Sequence, residues 1–100
     1  MGRERWPSMP EIPTFLEAGY PQAVYESWFG LFVPAGSPDE AVRRLGAATA
    51  AVLAGPETRA RMLRDGQLAR SSTAQELTAL IREDYEVTGA VIRRLDLRLD

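Results

Sequence analysis

The sequence contains no cysteine, no histidine, no lysine and no asparagine. Without cysteine there is no disulfide, no thiolate nucleophile and no thiolate-bound metal. Without histidine the commonest metal ligand and the usual general base are missing as well. All twelve basic residues are therefore arginine, a bias that GC-rich coding produces without selection for function. Long apolar runs are absent too: no stretch approaches the roughly 18 residues that a spanning helix needs. Residues 1–15 lack the basic start and apolar stretch of a signal peptide, so the sequence reads as a soluble chain with no export address of its own. A formal net charge of −2 offers no excess of positive charge to a polyanion, and nucleic acid is not an expected partner.

What is present is a composition of globular type, 45% hydrophobic and 26% charged. A chain of 100 residues has room for one domain and buries only about 60–65% of the surface its unfolded form exposes, which leaves a thin stability margin. Residues 1–13 carry Pro7, Pro10 and Pro13, which remove backbone donors and push their predecessors toward extended conformations, so they read as an extended linker. A single α/β domain is expected over residues 14–100. Thr14 with Glu17 three residues on fits a capping box, and Gly19 suits the left-handed residue that closes a helix. The spacing predicts one helical turn over Phe15 to Ala18.

Ser27 to Val33 concentrates aromatic and β-branched residues without helical periodicity and predicts a mostly buried strand, in which Gly30 marks a bulge or close approach. Pro34, Ala35 and Gly36 form its exit turn. Ser37, Pro38, Asp39 and Glu40 then give an N-cap, a proline at the first helical position and acids against the helix dipole. The helix that follows runs to Gly55, with Val42, Leu45, Thr49, Val52 and Leu53 on one stripe. A shorter helix is expected over Pro56 to Arg64, closed by Gly66. Ser72 with Gln75, or Thr73 with Glu76, caps a last helix that keeps apolar spacing from Leu77 to Leu95. Residues 96–100 alternate charged and apolar side chains and suit a short terminal strand. The architecture predicted is α/β, with one or two short strands and three or four helices.

Carboxylates are the only catalytic groups left. Glu83, Asp84 and Glu86 lie among Arg82, Arg93 and Arg94 on the solvent side of the last helix, where a solvated charged face accounts for them. Ser71, Ser72 and Thr73 have no histidine or lysine to activate them and are accounted for by capping. The chain is thus not expected to be an enzyme, and no cofactor or metal is expected. Arg59, Arg61 and Arg64 wrap around their helix rather than lining one face, which favours plain surface over an anion site. Tyr25, Trp28, Phe29 and Phe32 suit either core or the wall of an apolar cleft. The Ser37 helix start carries two acids that repel an anion. Of the two, Thr14 is the better candidate to hold one, although capping alone also explains it.

Two blocks of sequence carry a resemblance. Arg5-Trp6-Pro7 followed by Pro10-Glu11-Ile12-Pro13-Thr14-Phe15-Leu16-Glu17-Ala18-Gly19-Tyr20-Pro21, and then Ser27-Trp28-Phe29-Gly30-Leu31-Phe32-Val33-Pro34-Ala35-Gly36-Ser37-Pro38, resemble the C-terminal segment of periplasmic solute-binding proteins of the tripartite tricarboxylate transporter (Bug/TctC) family. Glu11 stands where aspartate is more usual, Gln22 where glycine is common and Ser37 where threonine is common. The resemblance implies the C-terminal part of a periplasmic-binding-protein-like lobe in a longer, two-lobed receptor. It also implies a periplasmic location, a small organic anion such as a di- or tricarboxylate or amino acid as ligand, and membrane transporter subunits as partners of the full-length receptor. By the same resemblance Pro13, Thr14 and Phe15 are ligand-binding cleft-edge positions, and Trp28, Phe29 and Gly30 frame the cleft. The alternative reading is a structural module without a ligand, which homodimerises through the exposed strand.

Overall fold

The structure, a computed structural model, describes residues 2–98. The chain divides into two compact units, Met1–Leu31 and Phe32–Asp100.

The first unit is built from turns. Residues 6–12 do not run straight: Met9 N–H donates to Trp6 O at 3.0 Å and Ile12 N–H to Met9 O at 3.1 Å. Pro7 and Pro10 each occupy the second position of one of these turns, the position for which the proline ring presets φ. One helical turn follows Thr14, and a short 3-10 turn, Pro21–Ala23, follows Tyr20. Gln22 sits in this right-handed turn, where no residue has positive φ, so no glycine is required there.

The second unit holds three helices. Helix α1, Asp39–Ala54, and helix α2, Pro56–Arg64, share Gly55, which ends one and caps the other with φ −66° and ψ 135°. These two helices pack on each other. Helix α3, Ala74–Arg94, starts at a capping box in which Thr73 Oγ1 accepts from Glu76 N–H at 3.1 Å and Glu76 returns a carboxylate oxygen to Thr73 N–H at 2.8 Å. Thr73 with Glu76 is thus the pair used, rather than Ser72 with Gln75.

The α1 start differs from expectation by one position. Pro38, not Ser37, is the N-cap, with ψ 137°, and no side chain caps the helix. The Ser37 hydroxyl donates instead to Pro34 O at 2.7 Å, reinforcing the 34–37 turn whose third residue, Gly36, has φ 82°. A hydroxyl committed to the turn behind it is lost to the helix ahead.

The expected α/β class is not found. Among the described residues there are helices and no strand, and Ser27 to Val33 forms no sheet ladder. Aromatic and β-branched residues report fitness for a pleated surface, whereas a strand exists only when a second segment supplies the ladder. None of the described residues does so. The expected terminal strand is replaced at its start by the closing turn of α3, and residues 99 and 100 lie outside the described residues.

Burial sets this chain apart from a closed domain. Among the described residues no hydrophobic side chain is buried, and Thr14, 4% exposed, is the one buried residue. The helices are amphipathic, yet their apolar stripes stay largely open: Leu45 and Val52 on α1, and Val91, Ile92 and Leu95 near the end of α3, are exposed.

Candidate functional site

Thr14 begins a one-turn helix that is closed at both ends. At the start, Thr14 Oγ1 accepts from Glu17 N–H at 3.1 Å while Glu17 Oε2 accepts from Thr14 N–H at 2.8 Å, the reciprocal capping box expected from the sequence. At the end, Ala18 N–H donates to Thr14 O, Gly19 N–H to Leu16 O and Tyr20 N–H to Phe15 O at 2.8 Å. The last two bonds form a Schellman closure, which needs a left-handed residue at Gly19; its φ is 88°. Phe15 remains 39% exposed beside the buried Thr14.

The same closure recurs with a different residue. Gly66, φ 77°, ends α2, with Gly66 N–H donating to Leu63 O and Gln67 N–H to Met62 O. Asp96, φ 48°, ends α3 with the equivalent bonds to Arg93 O and Ile92 O. Aspartate is one of the few side chains that tolerates this conformation.

The contact that sequence reading missed is Arg5. Its Nε donates to both oxygens of the Glu17 carboxylate, at 2.9 and 3.0 Å, and its Nη1 donates to Pro10 O at 2.8 Å. The hydrogen bond from Arg5, then that from the Thr14 amide, with a smaller contribution from the Arg5 charge, hold the Glu17 carboxyl down at about 2, against an ordinary 4.5. Arg5 is raised in return by the Glu17 hydrogen bond and charge. Both side chains are 44% exposed, so salt weakens the pair. The signal for it in the sequence is faint: a capping glutamate has spare acceptor capacity, but Arg5 lies 12 residues upstream. The two proline turns between them decide whether it reaches.

Among the residues expected at a site, Pro13, Thr14 and Phe15 are consecutive on this turn, and Thr14's amide and hydroxyl are both engaged with Glu17. Trp28 and Gly30 are half-buried, and Phe29 is 85% exposed. Both groups belong to the first unit. Tyr25 and Phe32 are exposed rather than packed in a core. Arg59, Arg61 and Arg64 on α2 are exposed, and Asp84 on α3 is half-buried and accepts from Thr88 Oγ1 at 3.2 Å. No helix among the described residues is long and apolar enough to cross a membrane.

The chain belongs to the tripartite tricarboxylate transporter receptor family, TctC, which it matches over residues 1–97. It is similar to a UPF0065 protein of Bordetella pertussis (strain Tohama I), 25% identical over 95 residues that make up 95% of this chain and 29% of that protein. A UPF0065 protein from the clcB-clcD intergenic region of Pseudomonas knackmussii is 32% identical over 86% of this chain and 52% of its own length. Another, from the tcbD-tcbE intergenic region of Pseudomonas sp. strain P51, is 40% identical over 54% of this chain and 16% of its own length. The chain thus spans between about a sixth and about half of the curated relatives it matches. No solved structure matches it.

Proposed function

We propose that this chain serves as part of a periplasmic solute-binding receptor that presents a small organic carboxylate to a membrane transporter. The family match over residues 1–97 carries this reading. In it, Pro13, Thr14 and Phe15 form one edge of the ligand cleft and Trp28, Phe29 and Gly30 frame it. The role is binding without covalent chemistry, by closure of two lobes around the anion.

Two features of the turn support the assignment. Proline at 13 and the capped hydroxyl of Thr14 fix the backbone at the edge before any ligand arrives, which lowers the ordering cost of binding. Phe15, 39% exposed, offers an apolar surface beside it, the usual lining of a small-molecule site. Affinity in a cleft receptor comes from enclosure, so the edge alone should hold its ligand weakly.

The test is an NMR titration of the chain with succinate, citrate and glutamate, following the amides of Thr14 to Glu17 and the Trp28 indole. Saturable shifts at those groups are expected in the millimolar range or weaker. A well-dispersed spectrum without shifts at any of them refutes the cleft-edge assignment.

A second reading, self-association without a ligand, draws on the exposure of Phe29, Leu31 and Phe32, at 85%, 72% and 68%. A contiguous exposed apolar run favours contact with another surface. Light scattering separates the two: a concentration-dependent dimer that is lost in Phe29→Ser/Phe32→Ser supports self-association, and a monomer at all concentrations refutes it.

A further inference from the structure

We propose that Arg5 is a positioning residue for the Pro13–Thr14–Phe15 edge, holding it through the Glu17 carboxylate on one side and the Pro10 carbonyl on the other. The inference rests on the reading of that edge as part of the ligand cleft, and it adds a residue which that reading does not assign.

The geometry is that of a clamp. One guanidinium touches Pro10 O at 2.8 Å, ahead of the edge, and the Glu17 carboxylate at 2.9 and 3.0 Å, just behind it. The segment between the two contact points contains the edge. A helix of one turn has little stability of its own, because fixing the first turn costs more backbone freedom than its few hydrogen bonds return. The clamp supplies what local bonding does not. Glu17 cannot move toward Arg5 or away from it without disturbing the bond its Oε2 accepts from Thr14 N–H at 2.8 Å. Arg5 therefore acts on Thr14 through a single shared carboxylate.

The pair also settles the charge of the edge. A lone Glu17 carboxylate would repel an approaching anion. Paired with Arg5 it contributes no net charge, while the Thr14 N–H that the carboxylate accepts from keeps its direction. A lysine would supply the charge as a point donor, but not two fixed N–H directions that reach a carboxylate and a carbonyl together.

Glu17→Gln separates the clamp from simple capping, because a glutamine carbonyl still accepts from the Thr14 amide and the capping box tolerates glutamine. If capping were all that mattered, Glu17→Gln and Arg5→Gln would both leave the turn as it is. The clamp predicts that each loosens it and that the double variant is no looser than either single one, the mark of two residues acting as a unit. Arg5→Lys should restore the turn in part.

The measurement is amide hydrogen exchange at Ala18, Gly19 and Tyr20 in the wild-type chain and the four variants. The expected change in both glutamine variants is exchange roughly two- to fivefold faster, the range for an exposed ion pair. Exchange unchanged in Arg5→Gln, additive effects in the double variant, or loosening that spreads to the α3 amides would each overturn the proposal. A succinate titration run alongside keeps the two readings apart. Weakened succinate shifts in Arg5→Gln, with the turn loosened, support the clamp acting on the site. If the wild-type chain ignores succinate, the cleft-edge reading falls while the exchange data still decide whether Arg5 positions the turn.

Discussion

The Glu17 carboxylate offers a direct test of how the first unit is held. It titrates at about 2 because Arg5 and the Thr14 amide favour the ionised form, whereas an unrestrained glutamate titrates near 4.5. A carboxylate whose folded value lies below its unfolded value contributes stability that is fully present above the unfolded value and is lost as pH falls through the folded one. The turn should therefore keep its hydrogen bonds from neutral pH down past 4.5 and lose them only as pH approaches about 2. Arg5→Gln removes the largest cause of the depression and leaves the Thr14 hydrogen bond. The Glu17 midpoint should then move most of the way back toward 4.5, stopping short of it. The assay is a pH series of carbon and amide spectra that reads the Glu17 side-chain carboxyl together with the Thr14 amide, which should report the same midpoint. Raising the salt should shift the wild-type midpoint upward and hardly affect the variant, because screening acts on the half-exposed ion pair. A wild-type midpoint near 4.5, or equal midpoints in wild type and Arg5→Gln, would refute the reasoning.

Other changes test the helix ends. Gly19→Ala places a Cβ at φ 88° with no atom nearby to clash, so its cost is backbone strain alone. The cost should be about 1–2 kcal/mol, read as lost protection of the Tyr20 amide. Asp96→Gly makes the converse change at φ 48° and should steady the last turn of α3 by up to about 1 kcal/mol, visible in the carbon shifts of Arg94 and Leu95. Thr73→Ala breaks the α3 capping box and should cost about 1 kcal/mol, measured as a fall in helical circular dichroism, with Thr73→Ser close to wild type.

The parts of the fold that local chemistry decides were legible in the sequence. The Thr14 and Thr73 capping boxes, the Gly19 and Gly66 closures and the bounds Pro56–Arg64 follow from side chains acting within a few residues of themselves. Ser37 departs from expectation because its hydroxyl has two nearby uses, capping ahead or closing the turn behind, and composition does not rank them. The strand over 27–33 failed for a different reason. Its residue types describe one side of a pairing, and the pairing partner does not occur among the described residues. Arg5 carries no local sign of its role, since its reach to Glu17 depends on the two proline turns lying between them. Only the resemblance marks Pro13, Thr14 and Phe15 as cleft-edge positions, and the structure adds how the turn that carries them is bonded.

The open helices have a thermal consequence. Heat capacity rises on unfolding mainly because apolar surface is newly hydrated, at about 12–15 cal/mol/K per residue in a closed globular domain. In this chain the described residues include no fully buried hydrophobic side chain, so less such surface is left to expose than in a closed domain. Its melting in isolation should be broad, with a heat-capacity step below the globular norm. Any surface that covers the stripes of α1 and α3 would then reveal itself in a calorimeter: association should carry a negative heat-capacity change from the apolar area that the isolated chain leaves open.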